Sequence, residues 1–360
     1  EQSISNSNTE NTYPTMHFTG SAVKALKTNE FDINGDVIID HDAIVTSSCK
    51  LWVSGDWKNA GTFNHSSEVI FDRNDDDEGG GNQYISSSAF SSVTFAGTGK
   101  KMLTGMINVS SQLKIDSLST LEVSPDGGTT CYEIKVGGTW KNNVWGPGGP
   151  DHGSTGKFIP HKGTVTFVGN SSYIYTGDSI ESNNTGRDYK SFYNVVINNS
   201  DPTNYKGLYP IYKVKNSIKS EQNDMYVENN FTINTGIFYV YWNTLYVGAN
   251  LWNLGGTFSM NSHYRAESRL LLGGAAGGDD YEFDPGESNT IRQIEVVGGG
   301  KYNLMSDYTQ YTLTATAGQD SLIHIRKGEF CLNGHTITFN ENGNIRIEKG
   351  GTLNIDAGAT

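Results

Sequence analysis

A short segment that occurs three times constrains this chain more than any other feature. Leu51-Trp52-Val53-Ser54-Gly55-Asp56-Trp57-Lys58-Asn59-Ala60-Gly61-Thr62-Phe63 precedes Val69-Ile70-Phe71. The device recurs as Val136-Gly137-Gly138-Thr139-Trp140-Lys141-Asn142, then Gly156-Lys157-Phe158 and Val165-Thr166-Phe167-Val168-Gly169. A third copy reads Val247-Gly248-Ala249-Asn250-Leu251-Trp252-Asn253-Leu254-Gly255-Gly256-Thr257-Phe258. A second device pairs Gly236-Ile237-Phe238 before Thr244-Leu245 with Gly328-Glu329-Phe330 before Thr336-Ile337, at one spacing. Repeated units of this kind cannot bury their own apolar faces, so neighbours must stack to make a core.

Within the copies apolar residues alternate, as in Leu51 and Val53 or Ile345 and Ile347. That is the period of strands with one buried face. Gly and Asn punctuate the strands closely. The best helical candidate, Val23-Lys24-Ala25-Leu26-Lys27, is barely a turn. The pattern predicts an all-β fold, a right-handed parallel β-helix (solenoid) with irregular loop insertions. A β-sandwich array is the structural rival, but its units run to about 100 residues, whereas related segments here recur within one coil's length. Asn59, Asn142 and Asn253 suit corners, where Asn tolerates left-handed backbone and can bond its counterparts in a ladder. Gly-x-Phe is expected to turn the chain and plant a ring inside. Trp57, Trp140 and Trp252 recur with the repeat and are expected at core or corner positions.

Composition agrees. Charged residues make up 18% of the 360 positions, and 43 are glycine; ordinary soluble domains carry about 25% charged residues. The formal net charge of −13 opposes phosphate binding, so no nucleic acid partner is expected. No run of 18 apolar residues exists, so no membrane insertion is expected. Residues 1–35 read as an N-terminal extension or cap and 36–360 as one continuous solenoid. The chain reads as a piece of something longer, without an initiator Met and ending inside repeat-like sequence. Polar, glycine-rich stretches at Arg73–Asn82, Asn143–Gly156, Asn199–Gly207 and Gly273–Gly286 are expected to leave the coil as loops, where binding sits.

The pattern Val-x-Gly-x-Trp-Lys-Asn, Gly-x-Phe, Val-x-Phe-x-Gly resembles the repeat regions of very large Bacteroidetes surface proteins. Those proteins are exported by type IX secretion and include gliding-motility adhesins. Gly97-Thr98-Gly99-Lys100-Lys101-Met102-Leu103-Thr104-Gly105 and Ser191-Phe192-Tyr193-Asn194-Val195-Val196-Ile197 are similar to the segments that follow in such repeats. The resemblance spreads over most of 36–355. It implies an extracellular, cell-surface location and a structural or adhesive role, and it transfers no catalytic residue. Partners implied are a surface glycan or protein ligand and the secretion or surface-anchoring machinery.

Candidate sites are few. Asp75, Asp76, Asp77 and Glu78, followed by glycines, form a carboxylate cluster of the kind calcium takes. Gly278–Asp284 is a second acidic stretch. Neither matches a named calcium motif, and no other cofactor is expected. Trp145 in a glycine-rich loop is the candidate ligand-binding residue, since an exposed ring can stack on a sugar; Tyr205 and Tyr209 lie in another loop. Cys49, Cys131 and Cys331 form no metal pattern and are expected to be free, mostly buried thiols. Asp40 with Asp42 could serve glycoside chemistry, which needs two carboxyls at a set separation. Arg187 with Asp188, or Arg326 with Lys327, could serve a lyase, though nothing in the sequence brings such parts together. His152 and His161 are the nearest approach to a zinc pair. The reading is a non-catalytic scaffold with displayed loops. Its alternatives are a pectate-lyase-type enzyme or a carbohydrate-binding module.

Overall fold

A computed structural model describes residues 2–4, 12–27, 30–74, 81–116, 118–142, 156–169, 174–176, 191–198, 224–240, 244–260, 268–278, 280–287, 289–291, 293–310, 321–339 and 343–359. All regular structure among them is β-strand. Two compact units divide the chain, Glu1–Gly169 with Asp188–Lys190, and Asn170–Arg187 with Ser191–Thr360.

In the first unit the chain visits three sheets in rotation. Met16–Phe18, Val23–Leu26 and Glu30–Ile33 are succeeded by Val37–Ile39, Ile44–Ser47 and Lys50–Val53, each parallel to its predecessor. This is a parallel β-helix, as the repeats predict. Met16–Phe18 and Val23–Leu26 already stack on strands beyond 35, so the described residues of the N-terminal segment contribute coils.

Register explains the core. Phe31, Leu51, Val69, Val93, Leu113 and Trp140 align across successive coils, and none is more than 1% exposed. Each such side chain stabilises the stack by about 1.5–3 kcal/mol relative to exposure. Coils lie about 4.8 Å apart, so an inward side chain touches its counterparts above and below. The second unit repeats the logic. Met225–Val227, Thr244–Val247, Arg269–Leu272, Gln293–Val296, Ser321–Ile325 and Gly343–Ile347 form one parallel sheet. A second runs from Asn194–Asn198 through Phe231–Thr235, Leu251–Asn253, Tyr281–Asp284, Lys301–Leu304 and Gly328–Cys331 to Gly351–Asn354.

Three details revise the sequence reading. Gly61, Gly156 and Gly256 do not turn the chain by a left-handed backbone. A Cβ on Gly61 would come within 2.3 Å of the Asp40 carbonyl oxygen, and one on Gly156 within 2.5 Å of Ile115 Cγ2. Close approach of the neighbouring coil therefore selects glycine there. The glycines of the other device, Gly236 and Gly328, do sit left-handed, at φ 87° and 88°. Second, Trp57 and Trp140 point inward while Trp252 points outward and donates to Glu282 Oε2 at 2.7 Å. Leu251 takes the inward place, because strand alternation puts adjacent residues on opposite faces. Third, Gly273–Gly286 is not all loop. Tyr281–Asp284 is a strand with Phe283 buried inside.

Asparagines do form a ladder, at other positions than expected. Asn230 N donates to Asn194 Oδ1 at 3.3 Å, and Asn250 N and Nδ2 both donate to Asn230 Oδ1, at 3.2 and 3.0 Å. Glu282 N closes the series on Asn250 Oδ1 at 2.7 Å. Asn59 and Asn253 instead accept from Gly61 N and Gly256 N, closing their own corners. All three cysteines are free, Cys49 and Cys331 buried and Cys131 partly so.

Candidate functional site

The outward face of the Met225–Ile347 sheet in the second unit carries its most varied chemistry. Register places Tyr226, Tyr246, Leu271, Glu295, His324 and Arg346 in one column. Alternation sends each of them away from the core, as it sends Val227 and Val247 into it.

The aromatic end of the column lines an open cleft of about 320 Å³. Rings of Tyr226 and Tyr246 stack with centroids 3.9 Å apart and planes 8° from parallel. Tyr281 forms another wall. The floor is Gly248, Ala249, Gly273 and Ala275. Tyr246 lies over Gly273, where a Cβ would come within 2.0 Å of its ring, and donates its hydroxyl to the Gly273 carbonyl at 3.0 Å. Tyr281 Oη accepts from Ala275 N at 3.2 Å. Glu228 and Asn229 supply the polar side. Ser191 Oγ donates to Glu228 Oε1, and Asn229 Nδ2 donates to Asn194 Oδ1 at 2.9 Å.

The charged end is a paired network. Glu295, 1% exposed, meets Arg326 Nη2 at 2.9 Å and Arg269 Nη1 at 3.7 Å, and accepts from Gln293 Nε2 at 2.8 Å. His324 lies 4.0 Å from Glu295 and 2.8 Å from Glu348 Oε1. Arg326 therefore does stand beside acidic groups, a placement with no local signal in the sequence. A second histidine–carboxylate pair occurs in the first unit. His161, at φ 45°, meets the nearly sealed Glu122 at 2.6 Å, with Lys100 Nζ 3.8 Å from the other oxygen.

Asp75, Asp76, Asp77, Glu78 and Trp145 lie outside the described residues, as do His152, Arg187, Asp188, Tyr205 and Tyr209. Asp40 and Asp42 pair with His17 and His41, at 2.9 and 3.0 Å, rather than with each other. In the second acidic stretch Asp280 binds Lys301, Glu282 binds Trp252, and Asp284 accepts from Gly286 N and Ser306 Oγ. These carboxylates serve separate partners. Among the described residues no group of three or more His, Cys, Asp or Glu side chains is placed to hold a metal ion.

The tyrosine cleft escapes a motif search, yet a signal exists. Met225-Tyr226-Val227 and Leu245-Tyr246-Val247 stand twenty residues apart and begin segments that match onward, Gly236 with Gly256 and Phe238 with Phe258. A coil-length repeat with an aromatic at an outward position marks a surface ring stack.

No protein-family model matches this chain, and no curated protein or solved structure shows detectable similarity to it.

Proposed function

We propose that the chain is a non-catalytic structural or adhesive scaffold, secreted or held at a cell surface, whose stacked coils display binding surfaces. The observation that carries this reading is the ladder Asn194–Asn230–Asn250–Glu282. It spends polar side chains on tying coil to coil, which serves rigidity and no chemistry. The resemblance of the Val-x-Gly-x-Trp repeats to surface adhesins supports the location.

A second reading, a polysaccharide lyase or hydrolase, draws on Arg326, His324, Glu295 and Glu348 lying in one patch. A catalytic carboxylate must reach its substrate. Glu295 is 1% exposed and held by Arg326 and Gln293, so it has no access to a polymer outside the coil. The test is incubation with a panel of neutral and acidic polysaccharides, followed by assay for new reducing ends and for unsaturated uronate. Intact polymers are expected. Cleavage abolished by Glu295→Gln or Glu122→Gln would overturn the scaffold.

A further inference from the structure

We propose that the tyrosine cleft is a binding site for a neutral glycan, the displayed ligand of the scaffold reading on which this inference rests. Its lining mixes aromatic rings with the polar side chains of Glu228 and Asn229. Tyr226 and Tyr246 cover one face of each other, so the apolar surface that lines the cleft for pyranose C–H groups is what this stacked pair and Tyr281 leave uncovered. Glu228, in the same lining, offers a carboxylate acceptor for hydroxyl donors, and Ser191 holds that carboxylate in place. Charge-assisted bonds of this kind are shorter and stronger than neutral ones.

The site is built rather than incidental. Gly273 cannot carry a side chain without displacing Tyr246, and Gly274 and Gly300 cannot without displacing Tyr281. The hydroxyls of Tyr246 and Tyr281 are anchored on the backbone of Gly273 and Ala275. Wall and floor therefore form one preorganised surface, which lowers the ordering cost of binding. Its volume lies at the small end of the range for ligand sites.

Charge selects the class of glycan. None of the described lining residues is cationic, and the chain carries a net charge of −13. Uronates, sulfated sugars and phosphates would meet Glu228 without a counter-charge, so the ligand is a neutral polysaccharide or oligosaccharide.

The experiment is calorimetric titration of the full chain with neutral hexaoses of glucose, mannose and xylose, and with a uronate hexamer. At least one neutral probe is expected to bind, and the uronate is not. Glu228→Ala and Ala275→Trp are expected to weaken that binding by about tenfold or more. Ala275 is exposed and its substitution leaves the Ser191–Glu228 bond in place, so the melting temperature of Ala275→Trp should stay near wild type and keep the comparison valid. The proposal is overturned if no neutral probe binds the folded chain, if both variants bind as wild type does, or if the uronate binds more tightly. Shortening of the bound probe is a separate outcome. It would sink the non-catalytic reading and leave the cleft as a glycan site.

Discussion

The indole of Trp140 meets the ring of Phe158 edge-on, centroids 4.8 Å apart and planes at 75°. Trp57 and Phe63 stand in the same relation, 4.8 Å apart at 71°. In these two copies the tryptophan of one strand is locked by the phenylalanine of the Gly-x-Phe that follows, whereas Phe258 of the third packs on Phe231 and Phe238. Edge-to-face pairs contribute about 0.5–1.5 kcal/mol beyond their buried area.

Trp140→Ala is therefore expected to cost about 3–5 kcal/mol, the usual range for emptying a buried indole site. Trp252→Ala, at an outward position with one hydrogen bond, is expected to cost about 1 kcal/mol. Urea unfolding of the two variants checks the contrast. Equal losses would mean that the recurring tryptophans are not sorted by face.

Arg326 and Arg346 both sit by Glu348 or Glu295, but their removal is expected to differ sharply. Arg326→Ala strips the closest cation from a carboxylate that is 1% exposed. Arg326 is itself 47% exposed and Arg269 and Gln293 remain, so a loss of about 2 kcal/mol is expected, the range for a hydrogen bond to a charged group. Arg346 is 65% exposed and 3.5 Å from Glu348, so Arg346→Ala should stay within about 1 kcal/mol. Chemical denaturation of both at one pH decides the matter.

Asp36 links stability to pH. Burial would raise its pKa, but the hydrogen bond from Lys58, the Asp56 N–H and the charges of Lys58 and Arg73 outweigh it and hold the carboxyl low. A lowered folded pKa contributes stability that is present above the unfolded value of about 3.9 and lost as pH falls through the folded one. Lys58 is raised, chiefly by its bond to Asp36. Its contribution is present below about 10.4 and lost as pH rises through the folded value. Asp36→Asn should therefore shallow both limbs of a stability–pH curve measured by urea midpoints. Asp72 runs the other way. Burial raises it, and the charge of Asp32 adds to that, against the hydrogen bond from Ser54. Asp72→Asn should stabilise at neutral pH, and its advantage should vanish on acidification.

Thiol labelling should report burial directly. Cys331 is pushed up to about 12 by burial and by Glu329, and burial also raises Cys49. Only the thiolate reacts. Cys131 is expected to alkylate first, with Cys49 and Cys331 following only as the fold opens. Mass spectrometry of timed samples reads the order, and early labelling of Cys331 would contradict it.

The fold was legible in the sequence because a β-helix writes its register into spacing. Alternation at Leu51 and Val53, and the return of Gly-x-Phe, are consequences of stacking. Trp252 was misplaced because the repeat aligns by motif while the sheet sorts by parity, and one residue changes the face. The Arg326–Glu295 pair stayed hidden for a different reason. Its members are 31 residues apart, and only the pairing of Glu295 with His324 in adjacent strands brings them together. Nothing local in either segment signals the other. The cleft was half legible, since its tyrosines repeat at coil length but Glu228 does not.

Phe231 lies beside Leu251, twenty residues on, and Asn230 stands below Asn250. A deletion removing residues 231–250 would join Asn230 to Leu251, with every column of that sheet still in phase. Losing a single residue there would turn the next strand inside out. Heredity in such a chain is quantised: it can lengthen or shorten by whole turns almost freely, while the smallest frame error within a turn is the most damaging change it can suffer.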